Sequence, residues 1–166
     1  MAGPGRRRDT TWMDRDNETD AWPTTGDRYA TRPPVNRGLY LQRLRAASNQ
    51  VALEHCNTSR QRRIVAYALT SAGGVADDDL ATVRRLIEEK GHVVAYELTD
   101  AYAPHAPLAR TGYAEARRLV FCGFADGIAV LDRDQISMRD DEYEAELCWY
   151  SERPALVLLH RPEAAP

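Results

Sequence analysis

Lysine is almost missing from this chain: Lys90 stands alone against 21 arginines. Phenylalanine is nearly as scarce, at Phe121 and Phe124 only. Cysteine occurs three times, at Cys56, Cys122 and Cys148, with no C-x-x-C pair. An odd number so spaced predicts reduced thiols in a cytoplasm, not a disulfide framework. The four histidines, His55, His92, His105 and His160, are scattered, and only His55 adjoins a cysteine. No metal site follows from that spacing, and no cofactor is expected. No run is apolar for long enough to cross a bilayer, so no membrane partner is expected. The opening MAGPGRRRDTTW has the arginines of a signal peptide without an apolar segment behind them. Asp9, Asp14, Asp16 and Glu18 argue against a mitochondrial transit peptide, which avoids acids.

What is present is unevenly distributed. Hydrophobic residues make up 43% of the 166, enough for a core, yet the mean hydropathy is -0.55. Residues 1–63 carry 12 arginines against seven acids, a net charge of +5, and residues 64–166 carry 10 Lys/Arg against 18 acids, a net of -8. A near-neutral total therefore hides a basic arm joined to an acidic body. Residues 1–36 are rich in Gly, Pro, Arg, Asp and Thr without apolar periodicity, and disorder is expected there. Residues 37–63 predict a short helix, its stripe formed by Tyr40, Leu44, Ala47 and Val51, followed by a polar linker. Residues 64–166 form the domain proper.

In that domain strands alternate with helices. Ile64–Leu69, Val93–Leu98, Gly127–Leu131 and Ala155–Leu159 are short apolar strands. Between the first two, Asp77 or Asp78 caps a helix whose apolar face is Leu80, Val83, Leu86 and Ile87, with Gly91 as its stop. Thr99–Leu108, with Pro104 and Pro107, is expected to be a loop. Tyr113–Phe121 and Asp140–Tyr150 are the other helices. Such alternation specifies an α/β domain with a largely parallel sheet of about four strands and flanking helices. Tyr67, Tyr96 and Tyr102 are expected as half-buried residues at strand ends, and Trp149 and Tyr150 as core or edge packing. The acids of residues 140–146 read as a helix start with a wet face, favoured by the dipole.

The junction Leu69-Thr70-Ser71-Ala72-Gly73-Gly74 carries the only candidate nucleophile in a suggestive place. It is not a P-loop or a dinucleotide loop, and Asp77, Asp78 and Asp79 would repel a phosphate at the helix that follows. It also lacks the first glycine of G-x-S-x-G. On spacing alone Ser71 reads as a turn residue beside glycines that supply positive φ.

Three segments, in order, nevertheless resemble the catalytic domain of serine recombinases, the resolvase/invertase family. Tyr67-Ala68-Leu69-Thr70-Ser71 resembles its Y-A-R-V-S strand end, whose serine attacks a DNA phosphodiester. Thr99-Asp100-Ala101 and Ala109-Arg110-Thr111-Gly112-Tyr113 resemble its second strand exit and next helix start. Ala125-Asp126-Gly127 through Leu131-Asp132-Arg133 resembles its G-D-x-strand-L-D-R segment. The resemblance implies Ser71 as nucleophile, Arg110 and Arg133 as phosphate ligands, and Asp132 orienting them. Guanidinium suits that task because its planar fork bonds two oxygens at once.

Two departures set the expectation. Leu69 and Ile136 stand where the family pattern has arginines, and losing one transition-state donor typically costs roughly 100- to 1,000-fold in rate. Seven residues follow Leu159, too few for the family's dimerisation helix and DNA-binding domain. A stand-alone, degenerate recombinase-like domain without productive DNA cleavage is therefore expected, acting on an unknown protein partner. DNA contact through the basic arm is expected to be weak. Two alternatives remain: an active serine recombinase using Ser71 with a DNA-binding partner, and a small α/β domain binding a nucleotide or metabolite among Ser71, Asp100 and Asp132.

Overall fold

A computed structural model describes residues 36–55, 60–70, 76–102 and 106–164, all of them within the unit Pro34–Pro166. The disorder expected for residues 1–36 therefore falls almost wholly outside the described residues. So do Ser71 and part of the expected linker.

Four strands form one parallel sheet in the order β2-β1-β3-β4: β1 (Arg63–Thr70), β2 (Val93–Ala101), β3 (Gly127–Val130) and β4 (Leu156–Leu159). β1 is apolar through its middle because Ile64 to Ala68 are buried on both faces. Its alternation sorts two cores. Ile64, Ala66 and Ala68 face α2 (Ala76–Glu89), while Val65 and Tyr67 join α3 (Thr111–Phe121) and α4 (Asp140–Ser151). α2 buries Leu80, Val83, Leu86 and Ile87, the expected face; it starts at Ala76, so Asp77 and Asp78, expected as caps, lie inside its first turn with Asp79, where their charge suits the dipole. It stops where Gly91 adopts φ +74°, with Gly91 N–H bonded to the Glu88 carbonyl and His92 N–H to that of Ile87.

Three expectations are corrected. β2 continues to Ala101, so Thr99–Ala101 is strand and not loop; its pairing with β1 runs to Thr70↔Ala101, and the ladder outweighs the nearby prolines. Pro107–Ala109 then makes a 3-10 turn inside the expected loop. Tyr67 is fully buried, whereas Tyr96 and Tyr102 are exposed. The third concerns α1 (Arg37–His55), which buries Leu41, Ser48 and Ala52 and leaves Ala47 and Val51 in water. α1 does not lie on one apolar face. It runs past the edge of β4, contributing Leu41 to one core and Ala52 to the other.

That passage closes a sheet edge. The Asn49 side chain donates to the Val157 carbonyl at 2.8 Å and accepts from Val157 N–H at 2.9 Å, as a neighbouring strand would. Arg45 is forked onto Glu163 at 2.7 and 2.9 Å, and Arg37 bonds Glu144, so α1 is tied to the end of the chain and to α4. Among the described residues no helix is long and apolar enough to cross a membrane.

Candidate functional site

β3 is half the length of β1, and the two pair only through Ile64, Val65 and Ala66. Beyond that point the carboxyl half of β1 has β2 on one side and no strand on the other. This boundary is also where the chain reverses its direction of travel across the sheet, the place where parallel sheets open a ligand crevice. A crevice of about 370 Å³ lies there, lined by Leu69, Tyr102, Arg110, Ile136, Met138 and Arg139 among others.

Arg110 precedes α3 and is only 5% exposed. Its Nη1 donates to the Gln135 carbonyl at 2.8 Å and its Nη2 to the Ile136 carbonyl. The Tyr113 and Tyr67 rings lie 5.2 and 5.8 Å from the guanidinium carbon. The cation is thus held by carbonyl dipoles and aromatic faces, and it fixes the segment after β3 in place. Ile136, fully buried, belongs to the same core as those two rings. Leu69 and Ile136, the two positions where guanidiniums were expected, both line this one crevice.

Arg133 turns elsewhere: its Nη1 donates to Asp140 at 2.6 Å, and Asp134 lies 3.4 Å from its Nε. Asp132 pairs with Arg161 at 3.5 Å, with neither Arg110 nor Arg133 as its partner. Arg139, at the crevice mouth, is paired with Asp141 and Glu142, and Glu142 also accepts from the Ser137 hydroxyl. Arg110 and the two apolar positions are therefore brought together, while Asp132 and Arg133 engage other partners.

Asp100 is the residue whose role the sequence did not disclose. From the end of β2 it accepts the Tyr67 hydroxyl at 2.9 Å and the backbone N–H groups of Gly112 and Tyr113 at 2.8 and 2.9 Å. A carboxylate at the start of α3 satisfies donors that no intrahelical carbonyl reaches and suits the dipole. The contact demands glycine at 112, where a Cβ would sit 2.8 Å from the Thr99 carbonyl oxygen and 2.9 Å from Asp100 Oδ2. Burial pushes the Tyr67 phenol up. The Arg110 charge opposes that rise and the bond to Asp100 adds to it, so Tyr67 is a proton donor at neutral pH and not a base. Behind it, Glu146, expected on a wet face, is instead buried because Tyr113 and Arg117 supply its partners: it accepts from the Tyr113 hydroxyl and from Arg117 at 2.9 and 2.7 Å. Burial raises its carboxyl despite both partners. Among the described residues no group of three or more His, Cys, Asp or Glu side chains is arranged to hold a metal ion.

No family model matches this sequence, and no curated protein does. Solved structures do match its backbone. The C-terminal catalytic domain of ISC1926 TnpA, an IS607-like serine recombinase, superposes with a TM-score of 0.52 at 20% identity, covering 63% of this chain and 71% of that one. The fold is that of a serine recombinase catalytic domain. The N-terminal catalytic domain of TP901-1 integrase matches the recombinase-like fold as well, with a TM-score of 0.53 at 18% identity over 60% of this chain and 77% of that one.

Proposed function

We propose that this recombinase-like domain does not cleave DNA productively and serves as an accessory or interaction module. The observation that carries the reading is the state of Arg110. A phosphate ligand must offer its N–H groups to the phosphate, whereas each terminal nitrogen of Arg110 holds a backbone carbonyl and its unpaired Nε is buried. Releasing them would leave two buried carbonyls unpaired, a cost of about 1–3 kcal/mol each. Leu69 and Ile136 add no charge to the crevice, and Arg133 is already engaged by Asp140. Charge gathering on a phosphate in that crevice would meet no guanidinium among these positions that is both exposed and unpaired, which weakens the largest usual source of transition-state stabilisation.

The test is a denaturing gel of labelled duplex DNA incubated with the full chain and with Ser71→Ala, beside an active recombinase as control. Neither protein is expected to yield a covalent band. A band that depends on Ser71 would overturn the reading and favour the alternative, an active enzyme in which Arg110 and Arg133 change partners and a second protein supplies DNA binding. A small-molecule role for the same crevice draws support from its place beyond the carboxyl ends of β1 and β2. A nucleotide and metabolite screen read by thermal shift tests it, and an unmoved Tm across the screen counts against it.

A further inference from the structure

We propose that the Arg110 crevice receives the Phe121 corner of a second copy of this chain in a head-to-tail contact, an inference that rests on the reading of the domain as an interaction module. Phe121 and Phe124, the only phenylalanines of the chain, are 70% and 49% exposed. Aromatic side chains dominate cores and interfaces, and here both stand in water within one short corner. Backbone bonds pin that corner. Gly123 follows α3 with φ +73°, its N–H bonds the Val120 carbonyl, and Phe124 N–H bonds that of Leu119. Arg63 donates to the Gly123 carbonyl at 2.7 Å. The Arg153 guanidinium carbon lies 4.1 Å from the Trp149 ring and 5.8 Å from that of Phe121. A ring presented on a fixed backbone gives up little freedom on docking.

The crevice offers apolar surface that an entering group can reach. Tyr102 and Met138 line it while 51% and 66% exposed, and Leu69 beside them is partly exposed. A cavity of about 150 Å³ accepts benzene, so the crevice of about 370 Å³ has room for a benzyl side chain. One copy does not fill its own crevice, because α3 begins directly after Arg110 and carries Phe121 about 16 Å away toward the start of β3. Charge selects the pairing. The first turns of α2 and α4 bring Asp77, Asp78, Asp79, Asp140, Asp141 and Glu142 to the crevice end, and Asp134 lines the crevice. Arg133 and Arg139 stand against these seven acids, while Asp100 and Asp132 are offset in charge by Arg110 and Arg161. Around the corner the excess is reversed: Arg60, Arg63, Arg118 and Arg153 stand against Glu115, Asp126 and Glu152. Corner to crevice joins opposite charge, whereas corner to corner or crevice to crevice sets like against like. Such a contact is heterologous, so it leaves a free corner and a free crevice and builds chains instead of closed pairs.

Complementation between two blocked variants tests the contact. In sedimentation equilibrium the average mass of the full chain is expected to rise above the 18.7 kDa of one copy as concentration climbs from about 0.1 to 1 mM, as a small contact requires. Added salt should lower it again. Phe121→Glu blocks the corner and Met138→Glu the crevice, and each is expected to weaken association at least tenfold. Both positions are exposed, so an unchanged urea midpoint will show that each variant is folded. An equal mixture of the two retains one intact corner and one intact crevice, and should form a 1:1 pair with the affinity of the parent. Three results would overturn the assignment: a parent that stays at the single-chain mass through about 1 mM, association of either variant as strong as the parent's, or a mixture no heavier than its components. The DNA-cleavage test fails separately, since a covalent band dependent on Ser71 would overturn the interaction-module reading without changing the mass of the mixture.

Discussion

At the scale of the residue, Arg110 does structural work at a position where the recombinase resemblance implies chemistry. It holds the Gln135 and Ile136 carbonyls, so its loss should be felt as instability. Arg110→Met keeps most of the apolar stem and deletes every donor; unfolding in urea is expected to show a loss of about 3 kcal/mol, with Arg110→Lys recovering part of it. A loss below about 0.5 kcal/mol would mean a guanidinium free to serve a ligand, and the proposed function would fall with it. Asp100 invites a parallel test. Asp100→Ala strips three donors of their acceptor and is expected to cost about 2 kcal/mol. Gly112→Ala should cost about 1–3 kcal/mol, since the new methyl meets backbone at Thr99. Neither role was legible beforehand, because a turn aspartate and a glycine near a helix start have many uses, and only the close approach of β2 to α3 selects this one.

Among the elements, α1 has the least legible packing. A single amphipathic stripe was the natural expectation from Tyr40, Leu44, Ala47 and Val51, and it presumes a helix lying flat on a core. α1 instead crosses the rim of the sheet, where its decisive contact is polar: the Asn49 amide against Val157. No apolar periodicity reports such a contact. Asn49→Ala is expected to lower stability by about 1–3 kcal/mol in chemical denaturation, because two backbone groups of β4 lose their partner. The same variant should self-associate on size-exclusion chromatography, since an unpaired strand edge templates pairing with another chain. Asn49→Asp keeps the acceptor for Val157 N–H and loses the donor, so it should fall between the two. By contrast the buried face and the end of α2 were legible. Apolar spacing and a terminal glycine gave both, while its start lies at Ala76, ahead of the aspartates expected to cap it.

Across the whole molecule, the separation of a basic arm from an acidic body takes on a different meaning. In the described part of that arm, Arg37 is paired with Glu144, Arg45 with Glu163, and Arg60 and Arg63 with Asp126. These arginines fasten α1 and the start of β1 to the acidic residues, leaving less free charge for a polyanion. Retention of a mixed-sequence duplex at low salt is therefore expected to be weak and to vanish near 150 mM salt, as measured by gel shift. A tight complex at physiological salt would contradict this. The pairing also shapes acid stability. Burial alone would raise the Glu163 carboxyl, but the hydrogen bond and charge of Arg45, with the Tyr143 hydroxyl, outweigh it and hold the group below the usual glutamate range. With the folded value depressed, the stabilisation is fully present above the ordinary glutamate range and disappears as pH falls through the folded value. Urea midpoints from pH 7 down to pH 3 should show Glu163→Gln less stable than the parent at neutral pH. The two should converge at the acid end, and a constant gap would sink the assignment.

The sequence by itself determined the alternation of strands and helices, the inward face of α2, and the segments that carry the recombinase resemblance. Each of these is local: apolar spacing, capping chemistry and short motifs are written over a few consecutive residues. Tertiary structure alone decided that Leu69, Arg110 and Ile136 meet in one crevice, that Arg133 faces Asp140, and that Asp100 joins Tyr67 to α3. Those groupings depend on strand order and on how far β3 runs beside β1, quantities set by pairing between segments far apart in the chain. A side chain's neighbours across the sheet are not encoded in its neighbours along it.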